Sequence, residues 1–232
     1  MRAFFEKHET LACILLIVLY LVINSFCLNV FGTSSYQMAL INTAFSVLLV
    51  ILIIYLKRTN YYGLTGVKDL KQYLYFIPLA LIISVNLWGG FKTEYKGFQI
   101  LYFVITMLNV GFLEEIIFRG FLFKMMQKTS LKSAIIVSSI TFGIGHIINL
   151  LNGADVIPTL LQICYATSIG FLFVIIFYKS SSLLPCIITH SLVNSLSLFS
   201  SSNLVLQYAG SVFLIIVPII YSIYLIKNKK LN

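Results

Sequence analysis

Apolar residues run along this chain in long blocks separated by short polar connections, without the strict alternation of a half-buried strand. Eight blocks predict helices at about 11–31, 38–56, 73–88, 98–123, 131–150, 157–178, 183–199 and 204–226. The third and seventh are short for a bilayer span, and Pro185 stands in the first turn of the seventh, where proline is tolerated. Arg2 and Lys7 precede the first block as they would a signal peptide. No small-x-small cleavage pattern follows, and the apolar run continues through Phe31, so the block reads as a retained helix. The longest polar connection, 57–72, reads as an interfacial loop or a short amphipathic turn. No internal repeat or low-complexity tract interrupts the pattern. The expected fold is all-α: one domain, 1–232, forming a polytopic membrane bundle of about eight transmembrane helices.

Composition sharpens this reading. Hydrophobic residues make up 59% of the chain and charged residues 10%, with a mean hydropathy of +0.98, a balance no soluble domain of this size shows. The net charge of +9 does not point to nucleic acid, because the basic residues sit in the short loops between blocks. With the amino terminus in the cytosol, thirteen lysines and arginines fall on cytosolic segments, against Lys92 and Lys96 on the other side and Arg119 inside. An even helix number then places both termini of a multi-pass cell-membrane protein in the cytosol. Cys13, Cys27, Cys164 and Cys186 form no Cys-x-x-Cys pair and read as small buried hydrophobes. No glycine-rich phosphate loop occurs, which removes nucleotides as partners.

The charges inside the blocks change the picture most. Glu114, Glu115 and Arg119 lie within the fourth block, where burying one ionised side chain costs roughly 2.5–3.5 kcal/mol. Glu115 and Arg119 are four residues apart and share a helix face, while Glu114 is turned about 100° away. One carboxylate can thus be held by the arginine and the other left for chemistry. A buried ion pair that only fixes packing has no use for the second glutamate.

Two more blocks carry polar groups at depth: Phe142-Gly143-Ile144-Gly145-His146 in the fifth, and His190 with Asn194 in the seventh, four apart on one face. The glycines before His146 are expected to admit a close helix neighbour. Counting 1.5 Å per residue from the nearest lysine puts Glu114 and His190 about 15 Å deep and His146 about 21 Å deep. A bent or tilted fifth helix would bring His146 level.

This set supports hydrolysis of an amide by activated water. Glu114 can act as general base, His146 can share the proton and orient the water, and His190 and Asn194 can donate to an oxyanion. The same residues leave a zinc route open, with Glu114, His146 and His190 as ligands, although His-Glu-x-x-His is absent. Ser191 is turned away from the His190 face, and Ser138, Ser139 and Thr141 read as packing residues, so a serine nucleophile is disfavoured. A proton-relay transporter would use similar groups, yet the paired interrupted helices of that class are missing.

With these residues in place the chain resembles the CPBP intramembrane proteases, which include CAAX prenyl endopeptidases and bacteriocin-processing or self-immunity proteins. The matching pattern is Glu114-Glu115-x-x-x-Arg119, Phe142-x-x-x-His146 and His190-x-x-x-Asn194, complete and in order over about 97–199. The resemblance implies an eight-helix bundle with a cavity open towards the cytosolic leaflet. It also implies that Glu114 and His146 activate water, that His190 and Asn194 bind the oxyanion, and that Glu115 and Arg119 support the site. Members have been described both as metal-free and as metalloproteases, so zinc is not settled by it. The implied partners are the lipid bilayer and a membrane-embedded or membrane-associated peptide substrate. The implied roles are peptide maturation, signal-peptide turnover or bacteriocin immunity. A non-catalytic scaffold or immunity factor of the same fold is the competing class.

Overall fold

In a computed structural model, described for residues 7–66 and 76–228, the apolar blocks become helices, and no strand occurs among the described residues. In chain order these are α1 (Glu9–Phe31), α2 (Tyr36–Tyr55), α3 (Leu79–Ser84), α4 (Phe98–Glu115), α5 (Leu131–Gly145), α6 (Val156–Ser180), α7 (Leu184–Leu196) and α8 (Leu204–Lys227). Six are long and apolar enough to cross a membrane, counting the extensions of α4 and α5, and the chain is a multi-pass membrane protein. The short ones are α3 and α7, the blocks whose length fell below a bilayer span. The start of the third block, 73–75, lies outside the described residues.

Local chemistry sets several of the ends. The hydroxyls of Ser35 and Ser130 cap α2 and α5, and the Asn203 side chain caps α8, each accepting from backbone N–H groups of the first turn. α6 stops at Ser181, whose left-handed φ of 56° breaks the helical run. One feature departs from the pattern: α4 does not continue as α-helix through the polar motif. Residues Ile116–Phe123 form a π-helix, after which one α-helical turn, Lys124–Gln127, closes the span. Ser138 on α5 donates its hydroxyl to the Phe118 carbonyl at 2.8 Å, tying this irregular stretch to its neighbour.

In the packing, α6 sits between α5 and α8, while α4 packs on α7 and α2 and α1 rests against the π-helical segment. α6 is buried over 56% of its apolar window and α1 over only 17%, so α6 is the central post and α1 a peripheral one. Lipid tails are as apolar as leucine, so association depends on close contact through small residues. Gly111 on α4 lies directly against α7: a Cβ there would come within 2.6 Å of the Ser191 backbone nitrogen. Ser191 faces this contact and donates to the Leu108 carbonyl, away from the histidine face as expected. Of the glycines before His146, Gly143 does admit α6, with the Ile163 carbonyl 2.8 Å from where a Cβ would be. Gly145 does not, having only Leu21 at 4.0 Å. The cysteine reading needs one correction. Cys13, Cys27 and Cys186 are buried, but Cys164 is exposed, on a side of α6 that no other helix covers.

The two ends of the bundle are held differently. At the lysine-rich end, Glu9 pairs with Arg58 at 2.8 Å and with Lys128, the Tyr61 hydroxyl donates to the Lys124 carbonyl, and the Leu183 N–H donates to the Gly63 carbonyl. At the opposite end, Asn152 accepts from Ser25 and Asn29, and Asn86 accepts from Ser200.

Gly111 gives a direct test of the α4–α7 contact. Gly111→Val must push α7 away or distort α4, and overpacking of this kind costs about 1–3 kcal/mol. The expected outcome is a lower thermal unfolding midpoint in detergent. Ala in place of Gly145, where the backbone is helical and a Cβ would meet only Leu21 at 4.0 Å, should leave that contact intact and provides the comparison.

Candidate active site

Glu115 and Arg119, one helical turn apart at the junction of α4 and its π-helical continuation, are both fully buried, with Nη1 3.2 Å from Oε1. The guanidinium lies over the Phe142 ring at 4.1 Å and near the Phe173 ring at 5.8 Å, so aromatic faces of α5 and α6 cover its flat sides. Gly170 makes the room, since a Cβ there would stand 2.9 Å from Nη2. Glu115 Oε1 also accepts from His190 Nδ1 at 2.8 Å. One carboxylate oxygen therefore joins an arginine on its own helix to a histidine on α7. Glu115 Oε2 and Arg119 Nε and Nη2 are buried without a hydrogen-bond partner among the described residues.

Glu114 faces elsewhere, as its rotation on the helix requires. Its Oε1 accepts from the Tyr20 hydroxyl at 2.7 Å, and its Oε2 lies 3.5 Å from His190 Nε2. Its side chain keeps 14% exposure where that of Glu115 keeps none, so the expected division of the two carboxylates is present. His190 stands between them, with a ring nitrogen facing each.

His146 sits where α5 gives way to a 3-10 turn, His146–Leu150. Its Nδ1 is 3.1 Å from the Phe142 carbonyl. A carbonyl only accepts, so Nδ1 carries the proton and Nε2 presents its lone pair. The Phe142 ring packs edge-on against His146 at 5.3 Å and His190 at 5.6 Å, keeping the two imidazoles apart. His146 lines two small cavities. One, of about 60 Å³, also contains Glu114 and Tyr20; the other, of about 40 Å³, contains His190 and Asn194. A water needs roughly 10–15 Å³ measured this way, so each has room for water. Glu114 and His146 thus share a water-sized space without a direct contact.

All four motif residues converge, and so does the supporting pair. Two features were not expected. Tyr20 belongs to the site, although it lies on the peripheral first helix; its signal was a polar spacing on α1, with Tyr20, Asn24, Ser25 and Asn29 recurring at four to five residues. The second is the set of polar residues that lines the cavity beside Glu114. The cavity holding Glu114 and His146 continues past Asn24, Ser25, Asn149 and Asn152, towards the 151–155 loop and away from the lysines. Among the described residues no three His, Cys, Asp or Glu side chains lie close enough together, as placed, to hold a metal ion. Beside the site an apolar groove of about 620 Å³ runs between α1 and α5, sharing Leu21 and Phe118 with the polar cavity.

Residues 96–196, a little under half of the chain and all of the motif-bearing part, match the family described as type II CAAX prenyl endopeptidase Rce1-like. Over this core the chain is similar to the Rce1-like family. No curated protein and no solved structure matches it significantly. The matched segment contains Glu114, Glu115, Arg119, His146, His190 and Asn194, whereas Tyr20 lies outside it.

The two carboxylates should separate in a stability measurement. Removing one member of a buried pair leaves an uncompensated charge, at about 3–5 kcal/mol. Arg119→Ala should sharply reduce folded protein in the membrane, while Glu114→Gln, whose amide oxygen can still accept from Tyr20, should hold it near normal. Equal losses would contradict the division drawn from the geometry.

Proposed function

We propose that this Rce1-like chain is an intramembrane endopeptidase that cuts a peptide bond of a membrane-associated substrate with water activated by Glu114 and His146. The observation that carries the reading is the placement of Glu114 and His146 on one water-sized cavity, with His190 and Asn194 on a second that His146 also lines. Water between the two bases gives up a proton to the glutamate–histidine pair as its oxygen attacks the carbonyl carbon. The oxyanion that forms takes hydrogen bonds from Asn194 Nδ2 and from His190 Nε2, the ring nitrogen opposite the one Glu115 holds. The abstracted proton then passes to the leaving amine as the C–N bond breaks.

Glu115 and Arg119 act through His190. By fixing Nδ1, Glu115 aims the opposite nitrogen at the site, the way a buried carboxylate orients a catalytic imidazole. The apolar groove beside Glu114 fits a substrate that stays partly in lipid. The family name makes a prenylated CAAX peptide the first substrate to try, while peptide maturation and bacteriocin self-immunity remain roles that such a cut would serve. The zinc alternative would use Glu114, His146 and His190 Nε2 as ligands, with Glu115 holding Nδ1 as a carboxylate does for a metal-bound imidazole, and chelation decides between the two routes.

The mechanism is tested with purified protein and a prenylated CAAX peptide reporter, with unprenylated peptide alongside. Glu114→Gln and His146→Ala should abolish turnover, and Asn194→Ala should lower the rate by about 10²–10³. Prolonged chelation should leave the wild type active. Zinc at one per chain, lost with activity on chelation and restoring it on return, would defeat this mechanism and leave the hydrolase standing. Peptide profiles of wild-type against Glu114→Gln cells test the non-catalytic immunity reading: a phenotype that survives the change would favour a scaffold.

We also place both termini in the cytosol, on the lysine and arginine distribution. A reporter active only in the cytosol should work when fused after Lys230 or within 124–132. Activity at a fusion in 151–156 would reverse the orientation.

A further inference from the structure

Away from Glu114, a cavity of about 270 Å³ lies between the 3-10 turn Val85–Leu87, the first half of α6, the 200–203 connection and the start of α8. Its polar lining is amide and hydroxyl, from Asn86, Gln162, Tyr165, Ser200, Ser201 and Gln207, and none of its lining residues is charged. Small residues draw the walls together. A Cβ on Gly210 would stand 2.8 Å from Val85 Cγ1, and one on Gly89 would run into the Ser201 side chain.

Some of these polar groups are engaged within the wall. Asn86 donates to the Val193 carbonyl at 2.7 Å and accepts from Ser200 at 3.0 Å, and Gln207 donates to the Ser201 carbonyl at 2.8 Å. Others are open. The Tyr165 hydroxyl makes no hydrogen bond among the described residues, and Gln162 uses only its Oε1, which accepts from Asn149. Tyr165 lies nine residues into α6, and Leu214, which also lines the cavity, ten into α8. At 1.5 Å per residue the cavity reaches about 14–15 Å from the helix starts, well into a bilayer core of about 30 Å. Open donors at that depth need a partner.

The cavity is continuous with an apolar surface. Trp88 and Tyr208 also border a groove of about 750 Å³ along α8, whose other residues include the exposed Val205, Val212 and Ile216. Trp88 packs edge-on against Phe213 at 5.0 Å where the two spaces meet. Tryptophan and tyrosine take such places at a membrane interface, with the ring against tails and the polar tip towards headgroups. Acyl chains cover any lipid-facing helix. What α8 adds is a polar compartment opening beside the tail.

We propose that cavity and groove together hold one membrane lipid, with an uncharged, hydroxyl-bearing headgroup in the cavity and an acyl chain along α8. A glycosyl diacylglycerol has this chemistry. Charge decides the headgroup. Anionic headgroups are gathered by clusters of Lys and Arg, and the lining has none, so a phosphate here would lack a counter-charge. Amides and hydroxyls offer both donors and acceptors to the hydroxyls of a sugar. This goes beyond the peptidase reading and does not rest on it.

Trp88 is the single tryptophan of the chain, so it reports occupancy of the site without any turnover. The full chain is purified in a sugar-free detergent, which keeps alkyl glycosides out, and placed in phosphatidylcholine vesicles. Monoglucosyl diacylglycerol, phosphatidylglycerol and phosphatidylethanolamine, all with the same brominated acyl chains, are then compared as contact quenchers at low mole fraction. The glucosyl lipid should quench Trp88 saturably, with an affinity about tenfold above that of either phospholipid. Tyr165→Phe should cut this preference about three- to tenfold, the worth of one hydrogen bond. Ser211→Leu, which fills the cavity from α8, should abolish it. Preferential quenching by either phospholipid, equal quenching by all three, or a preference that either folded variant leaves intact would overturn the proposal.

Discussion

A guanidinium inside a lipid-embedded bundle cannot be left alone, and most of the core of this protein follows from how Arg119 is accommodated. Its charge is met by Glu115 one turn back on the same helix, its faces by Phe142 and Phe173, and its bulk by the missing side chain of Gly170. These partners come from α4, α5 and α6, and Glu115 recruits His190 from α7. Four helices are thereby fixed around one buried pair. Leucine-on-leucine contact could not do this, because between helices in lipid it does not distinguish one register from another. The same arrangement leaves Glu114, the neighbour turned away, with access to a cavity.

Much of this could be read from residue spacing. The helix count followed from block lengths, and even the two short elements, α3 and α7, were visible as blocks below a bilayer span. The pairing of Glu115 with Arg119 and the release of Glu114 are consequences of 3.6 residues per turn, and they survive although the helix turns π-helical just beyond. The motif residues on α5 and α7 were found because histidines and asparagines are conspicuous in an apolar run.

What stayed hidden depends on tertiary contact. Tyr20 looks like any aromatic residue of a membrane helix until its hydroxyl is seen 2.7 Å from Glu114, ninety-four residues away in sequence. The π-helical stretch leaves no trace in hydropathy, since its eight residues are as apolar as the α-helix they replace, Arg119 apart. The lining of the cavity beside Glu114 was equally illegible, since α1 and the 146–152 turn supply its polar residues together.

The proposed hydrolysis would need water beside a buried ion pair. A wide polar cleft would bring water and also loosen the pair that holds the helices. The cavity of about 60 Å³ beside Glu114 has room for a few waters and is not lined by Arg119. Tyr20 stands at the boundary: its hydroxyl donates to the Glu114 carboxylate, while its ring lies 6.1 Å from that of Phe45 on α2. The peripheral helix outside the family-matched core therefore does more than complete the bundle. It lines the cavity beside Glu114 and donates to one of its carboxylate oxygens, from outside the segment that matches the family.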